Sequence, residues 1–166
     1  MTNDDTAKIW NKVRKVRIGM LTLASEGGTL TSRPMTIQQV EAPDVLWFFT
    51  AKHGGLAEKI GVGASANITV ADHGDSLYVS ASGSVRLVDE PAKARELWNV
   101  LAKAWFRGGL DDPNLALMRL NIETAEYWDS DHSKMVQLLL MAKAAATGKP
   151  PLSIGSHHDV KVSSPS

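Results

Sequence analysis

Two periods alternate along this chain. Ile9, Trp10, Val13 and Val16 recur at helical spacing, and Asp4, Asp5 or Thr6 stand where a cap is needed, so residues 5–16 are predicted to be a helix. The pattern then turns to strands. Residues 17–24 suit one strand, Glu26-Gly27-Gly28 signals a turn, and 29–40 is the returning strand. After the Ala42-Pro43-Asp44 break, residues 45–50 (Val-Leu-Trp-Phe-Phe-Thr) are apolar without interruption, as expected of a strand buried on both faces. A short helix is predicted from about Leu56 to Gly61, then strands over 66–71 and 76–88. Pro91 opens the next helix, with Ala94, Leu97, Trp98, Leu101 and Trp105 on one stripe and Gly108-Gly109 ending it. The last long strand is 116–128. A final helix, capped by Asp131 or Ser133, runs to about Thr147 before Gly148 and Pro150-Pro151.

Six strands joined mostly by tight turns favour antiparallel pairing, and two-sided apolar runs close most economically into a small barrel. The expected class is therefore mainly β with peripheral helices, as one domain over residues 1–148. The remainder, 149–166, is poor in apolar residues and reads as a tail.

Composition narrows the function. With 166 residues the chain suits one domain rather than two full-sized ones, and 43% apolar with 22% charged residues is globular composition. Eighteen basic residues balance eighteen acidic ones, which gives no reason to expect nucleic acid or an anionic membrane as partner. With no cysteine, disulfides, thiolate metal sites, iron–sulfur clusters and a cysteine nucleophile are all excluded. No apolar run reaches membrane-spanning length, and Met1-Thr2-Asn3-Asp4-Asp5 lacks a signal-peptide layout, so a soluble cytoplasmic protein is expected.

Several motifs fail on context. Gly61-Val62-Gly63-Ala64-Ser65-Ala66 matches a dinucleotide pattern but follows a helix and enters a strand, the reverse of what that fold needs. Asp129-Ser130-Asp131-His132 lacks the glycine and distal glutamate of a calcium loop. His157-His158 has no third ligand, so no metal is expected. Ser80, Ser82 and Ser84 line one strand face without a nucleophile motif.

Three segments carry more. In Thr31-Ser32-Arg33-Pro34-Met35 a strand arginine must face solvent or be paired, and Pro34 cannot donate to a ladder, which predicts an edge or a bulge. In Phe48-Phe49-Thr50-Ala51-Lys52-His53-Gly54-Gly55 a buried strand ends in a hydroxyl, a lysine and glycines, a combination suited to an anion such as phosphate. In Trp105-Phe106-Arg107-Gly108-Gly109 two aromatics stand where a helix yields to a loop; core packing is the plain alternative for Trp105. Together they supply an anion cradle, a guanidinium and a flat apolar face, which fits a planar phosphorylated heterocycle such as a flavin nucleotide.

At this point the chain resembles a known family. Residues 104–115 (Ala-Trp-Phe-Arg-Gly-Gly-Leu-Asp-Asp-Pro-Asn-Leu), Leu117-Met118-Arg119-Leu120, Ala125-Glu126-Tyr127-Trp128-Asp129, Ser32-Arg33-Pro34-Met35 and Trp47-Phe48-Phe49-Thr50 are similar to the general stress protein 26-like branch of the pyridoxamine 5′-phosphate oxidase-like superfamily, over about residues 6–146. The resemblance implies a six-stranded antiparallel split barrel, a homodimer, and FMN (with FAD as the larger option) in grooves between the subunits. It places Arg33, Pro34 and Met35 along the isoalloxazine and ribityl chain, Phe49 and Thr50 beside the flavin with Thr50 on the phosphate, and Trp105 and Phe106 reaching over the ring from the other subunit. Such stacking is worth about 0.5–1.5 kcal/mol beyond area burial, and a charge-assisted phosphate contact about 1.5–3 kcal/mol. Where relatives often carry a serine-x-lysine grip this chain reads His53-Gly54-Gly55-Leu56, leaving Lys52, Lys59 or the glycine N–H groups as substitutes. The functions implied are a flavin-binding protein of stress-response type with flavin-dependent oxidoreductase chemistry, a non-enzymatic flavin carrier or redox sensor, or a pyridoxamine 5′-phosphate oxidase. The last needs an arginine–histidine substrate grip that the C-terminal region does not present. No residue stands out as a necessary acid or base.

Overall fold

The computed structural model describes residues 3–41, 44–129, 141, 145, 147–148 and 156–161. Helix α1 (Asn3–Val16) leads into β1 (Ile18–Ala24), β2 (Leu30–Thr36), β3 (Gln39–Glu41) and β4 (Val45–Ala51). Helix α2 (Gly55–Ile60) precedes β5 (Ala64–Asp72) and β6 (Leu77–Val88). Two short helices, α3 (Pro91–Leu97) and α4 (Val100–Trp105), and a single 3₁₀ turn (Gly109–Asp111) lead to β7 (Leu115–Asp129); β8 (Ser156–Lys161) follows. The predicted final helix lies outside the described residues.

All pairings are antiparallel, and the hydrogen-bonded order is β2-β1-β5-β6-β7-β4-β3, with β8 also on β7. The mainly β, antiparallel expectation therefore holds, but the count and closure change. Eight strands are described where six were expected, and the path ends at β2 and β3 without closing into a ring. One extra strand arises because the returning strand breaks at Ile37-Gln38. Ile37 turns into the core, and Gln38 crosses over, its N–H donating to the Trp47 carbonyl at 2.8 Å. The other is β8, inside the stretch expected to be a tail; it extends the edge of β7 that β4 leaves at residue 121.

The sheet curls around one large apolar cluster. Leu21, Phe48, Ile68, Val85, Met118 and Leu120 fill it, and Ile9, Trp10 and Val13 of α1 lie against it, as their helical spacing predicts. Burying a side chain of this size is worth about 1.5–3 kcal/mol. A second cluster lies on the opposite side of β4, where Val45, Trp47, Phe49 and Leu117 pack against Leu97, Ala102 and Phe106 from α3, α4 and the following residue. Strand β4 thus sits between two cores, which is why its run is apolar on both faces. No helix among the described residues is long and apolar enough to cross a membrane.

Candidate functional site

The open seam of the sheet becomes a cleft. Strand β2 is the outermost strand, paired only to β1, so Pro34 sits on an edge as its missing N–H requires. Across from it, β3 covers β4 only as far as Trp47. Ladder groups alternate along an antiparallel strand, and the Trp47 carbonyl points to the β3 side. The main chain of Phe49 and Ala51 therefore faces the same side, beyond the end of β3. A cavity of about 320 Å³ fills this gap, between Pro34, Met35 and Thr36 on one bank and Phe49, Thr50 and Ala51 on the other.

Helix α4 closes the cleft from above, and it does so because the predicted single helix is two. Trp98 adopts an extended conformation (φ −61°, ψ 131°), and Asn99 caps a new helix, its side-chain oxygen accepting from the N–H groups of Leu101 (3.0 Å) and Ala102 (3.1 Å). The break swings Leu101, Ala102 and Trp105, with Phe106 just beyond, over the cleft. Phe106 and Ala102 are buried, whereas Trp105 is 84% exposed, so the core-packing alternative for Trp105 is wrong. Trp98, at the break, packs against the second cluster, edge-on to Phe49 at 5.7 Å between ring centroids.

Asn114 holds the far end. Its carbonyl accepts from the Lys52 N–H (2.7 Å) and its side-chain oxygen from the His53 N–H (2.9 Å). Its own N–H donates to Asp112, which also accepts from Gly108 N–H. The loop after β4 and the loop before β7 are thereby tied together at the cleft floor.

Six of the residues singled out from sequence line this cleft: Pro34, Met35, Phe49, Thr50, Trp105 and Phe106. Trp105 and Phe106 line the cleft of their own chain. Arg33 is half-buried on β2, opposite Leu21, and its side chain makes no hydrogen bond or ion pair with the described residues. Lys52 is exposed and faces a different cavity of about 370 Å³, alongside Asp89 and Glu90. Lys59 instead reaches across to β2, donating to the Thr31 hydroxyl at 2.8 Å. Sequence reasoning missed Thr36, Gln38, Ala51, Leu101, Ala102 and Asn114. The available signal was Asn99, a favoured capping type in mid-stripe, which announces a new helix and with it the direction of Leu101 and Ala102.

Among the described residues, no ionisable side chain lines the cleft. An electrostatic cluster lies two residues before Phe49 on the same face of β4, where the Trp47 indole N–H (2.8 Å) and the Lys93 ammonium (3.0 Å) both bond Glu41. Lys93 also stands 5.2 Å over the Trp47 ring. The hydrogen bond from Lys93, then that from Trp47, hold the Glu41 carboxyl below its ordinary pKa. Burial works against the charge of Lys93, but its bonds to Glu41 and Glu96 outweigh that and raise its pKa. Among the described residues no group of three histidine, aspartate or glutamate side chains is placed to hold a metal.

Comparison with known proteins follows the same lines. A family model described as "pyridoxamine 5′-phosphate oxidase like" matches residues 4–151. The chain is 37% identical to a general stress FMN/FAD binding protein from Xanthomonas citri, with a TM-score of 0.70 over 80% of this chain and 93% of that one. A candidate general stress protein 26 from Jannaschia sp. CCS1 superposes with a TM-score of 0.79 at 29% identity, covering 97% of this chain and all of that one. Among curated proteins, bli-3 of Neurospora crassa is 28% identical over 140 residues, which span 79% of this chain and 67% of that protein.

Proposed function

Given that the chain belongs to the pyridoxamine 5′-phosphate oxidase like family, we propose that it binds a flavin nucleotide, FMN in preference to FAD, in the cleft between β2, β4 and α4. The observation that carries this reading is the composition of the cleft: aromatic and aliphatic faces from Met35, Phe49, Leu101, Trp105 and Phe106, with a few polar groups from Thr36, Gln38, Thr50 and Asn114. A flat ring system with one polar edge suits that lining. The relative from Xanthomonas citri, whose name specifies FMN/FAD binding, supports it.

In this reading Trp105 and Phe106 cover the ring, Pro34 and Met35 lie along it, and Thr50 and the main chain of Phe49 and Ala51 meet its polar groups. Arg33 and Lys59, which approach the same strand, are better placed than Lys52 to meet a phosphate on the β2 side. A bound flavin supplies hydride or one-electron transfer; the chain supplies position and excludes water. The lack of an ionisable lining residue among the described residues favours that division of labour over acid–base catalysis by side chains, and it disfavours a pyridoxamine 5′-phosphate oxidase. Oxidoreductase activity, a homodimeric state and a cytoplasmic setting complete the reading.

The test is direct. Purified protein, or protein mixed with FMN and desalted, is expected to carry flavin absorbance, and the chromophore released on denaturation is expected to be FMN. Anaerobic reduction by NADH or NADPH then separates an oxidoreductase from a carrier. A colourless preparation that takes up neither FMN nor FAD overturns the proposal.

A further inference from the structure

The polar edge of the cleft has a fixed sense, set from outside it. Asn99 uses its side-chain oxygen to accept two backbone N–H groups of α4. Backbone N–H groups only donate, so the oxygen must lie there and the NH₂ must point the other way. That NH₂ donates to the Gln38 side-chain oxygen at 2.6 Å and to the Leu97 carbonyl at 3.0 Å. Gln38 is thereby oriented in turn. Its oxygen is taken, and its NH₂ is the end left over, touching among the described residues only the Thr36 carbonyl at 3.5 Å, the limit of hydrogen-bonding distance. Gln38 lines the cleft. Asn114 repeats the logic at the other end: its oxygen accepts from the His53 N–H, and its NH₂ has no partner among the described residues.

From this we infer that Gln38 and Asn114 are locked as hydrogen-bond donors, so that the cleft selects a ligand edge rich in acceptors, and that Asn99 sets the sense of Gln38 without touching the ligand. Gln38 is the specificity-determining residue and Asn99 its positioning residue. The inference deepens the flavin reading and rests on it only for the choice of probe. The pyrimidine-ring carbonyls of an isoalloxazine are such an edge, whereas a ligand presenting N–H groups there would face donors with donors.

Two near-isosteric variants test it. Gln38→Glu keeps an acceptor for Asn99 but turns the remaining atom into a carboxylate oxygen. Asn99→Asp keeps the helix cap but cannot donate, so Gln38 must rotate, giving its NH₂ to the new carboxylate and its oxygen to the cleft. Both are expected to bind FMN at least tenfold more weakly than the wild type, with melting temperatures within a few degrees of it. The ratio of wild-type to Gln38→Glu affinity should shrink as the pH falls and the new carboxyl gains a proton to donate, a response that merely loosened packing would not give.

A ligand-free arm separates this inference from the flavin reading. In ¹⁵N-labelled apoprotein the Asn99 carboxamide protons should exchange slowly with solvent and those of Gln38 quickly, and in Asn99→Asp the Gln38 protons should become the protected pair. If the wild type ignores FMN but the exchange pattern and its reversal appear, the flavin reading fails and the locked donors stand. Fast exchange at Asn99, or unchanged FMN affinity in both variants, overturns the inference.

Discussion

Trp105 shows how far a single side chain can mislead. Its spacing put it on the apolar stripe with Leu97 and Leu101, where core packing is the ordinary outcome, yet it is 84% exposed beside a cleft whose other aromatics are buried. Trp105→Ala should therefore leave the melting temperature within about a degree while weakening FMN binding by about 2- to 12-fold, the equivalent of a lost stacking contact. Fluorescence titration and a thermal melt on the same sample separate the two effects. Gly83 is the opposite case, invisible in the sequence and decisive in the fold. At the bulge between Ser82 and Gly83, β6 crosses β7 so closely that a Cβ on Gly83 would overlap the Asn121 carbonyl. Backbone on both sides leaves nothing soft to move, so Gly83→Ala should cost about 1–3 kcal/mol, read as a lower urea midpoint. Nothing in the Ser82-Gly83-Ser84 sequence distinguishes it from a turn glycine, because the partner that demands it lies far along the chain in β7.

Elements were legible where one period ruled and illegible where two neighbours competed. Strand β4 and helix α1 followed from periodicity because each buries what its pattern marks as apolar. The stripe from Ala94 to Trp105 was read as one helix because its apolar spacing continues through Asn99. The carboxamide of Asn99 wins over that continuity by satisfying two N–H groups that a helix start leaves open. The break matters because it turns α4 across the seam, and it is the turned segment that carries Leu101 and Ala102, two of the residues missed from sequence. The other tie to α3 is electrostatic. With its folded pKa lowered by Lys93 and Trp47, Glu41 contributes stability above its unfolded pKa and loses it as the pH falls through the folded value. Lys93, raised, contributes below its unfolded pKa and loses that contribution only as the pH rises through its folded one. Between them lies the neutral range where the pair is complete. Glu41 is half exposed, so the effect is screened and small. Urea midpoints of the wild type and Glu41→Gln should differ at pH 7 and converge toward pH 3; parallel curves would mean that the pair adds nothing.

For the whole molecule, the seven described strands of the open path leave β2 as an edge that a lone chain must somehow protect. Its neighbourhood is apolar on the outside: Ile18 is 57% exposed, Met20 41% and Leu30 69%, and Met20 stands directly across from Pro34. Their solvent-facing strand positions lie on the side of the sheet away from the main core, where Asn67 bonds both Ser80 and Ser82 and so presents few unsatisfied polar groups. That combination, an edge, an apolar rim and a small-polar face already paired within itself, suits a second copy of the same chain better than water. A stable pair needs about 800 Å² per partner. Sedimentation at micromolar concentration should therefore give a dimer, and Met20→Asp, which places a charge at the middle of that face without disturbing either core, should give a folded monomer with unchanged far-ultraviolet circular dichroism. The same variant distinguishes a cleft complete within one chain from one that needs a neighbour. Retained FMN binding by the Met20→Asp monomer would mean that the cleft-lining residues of one chain suffice. Complete loss of binding in a folded monomer would mean that the second copy supplies part of the site.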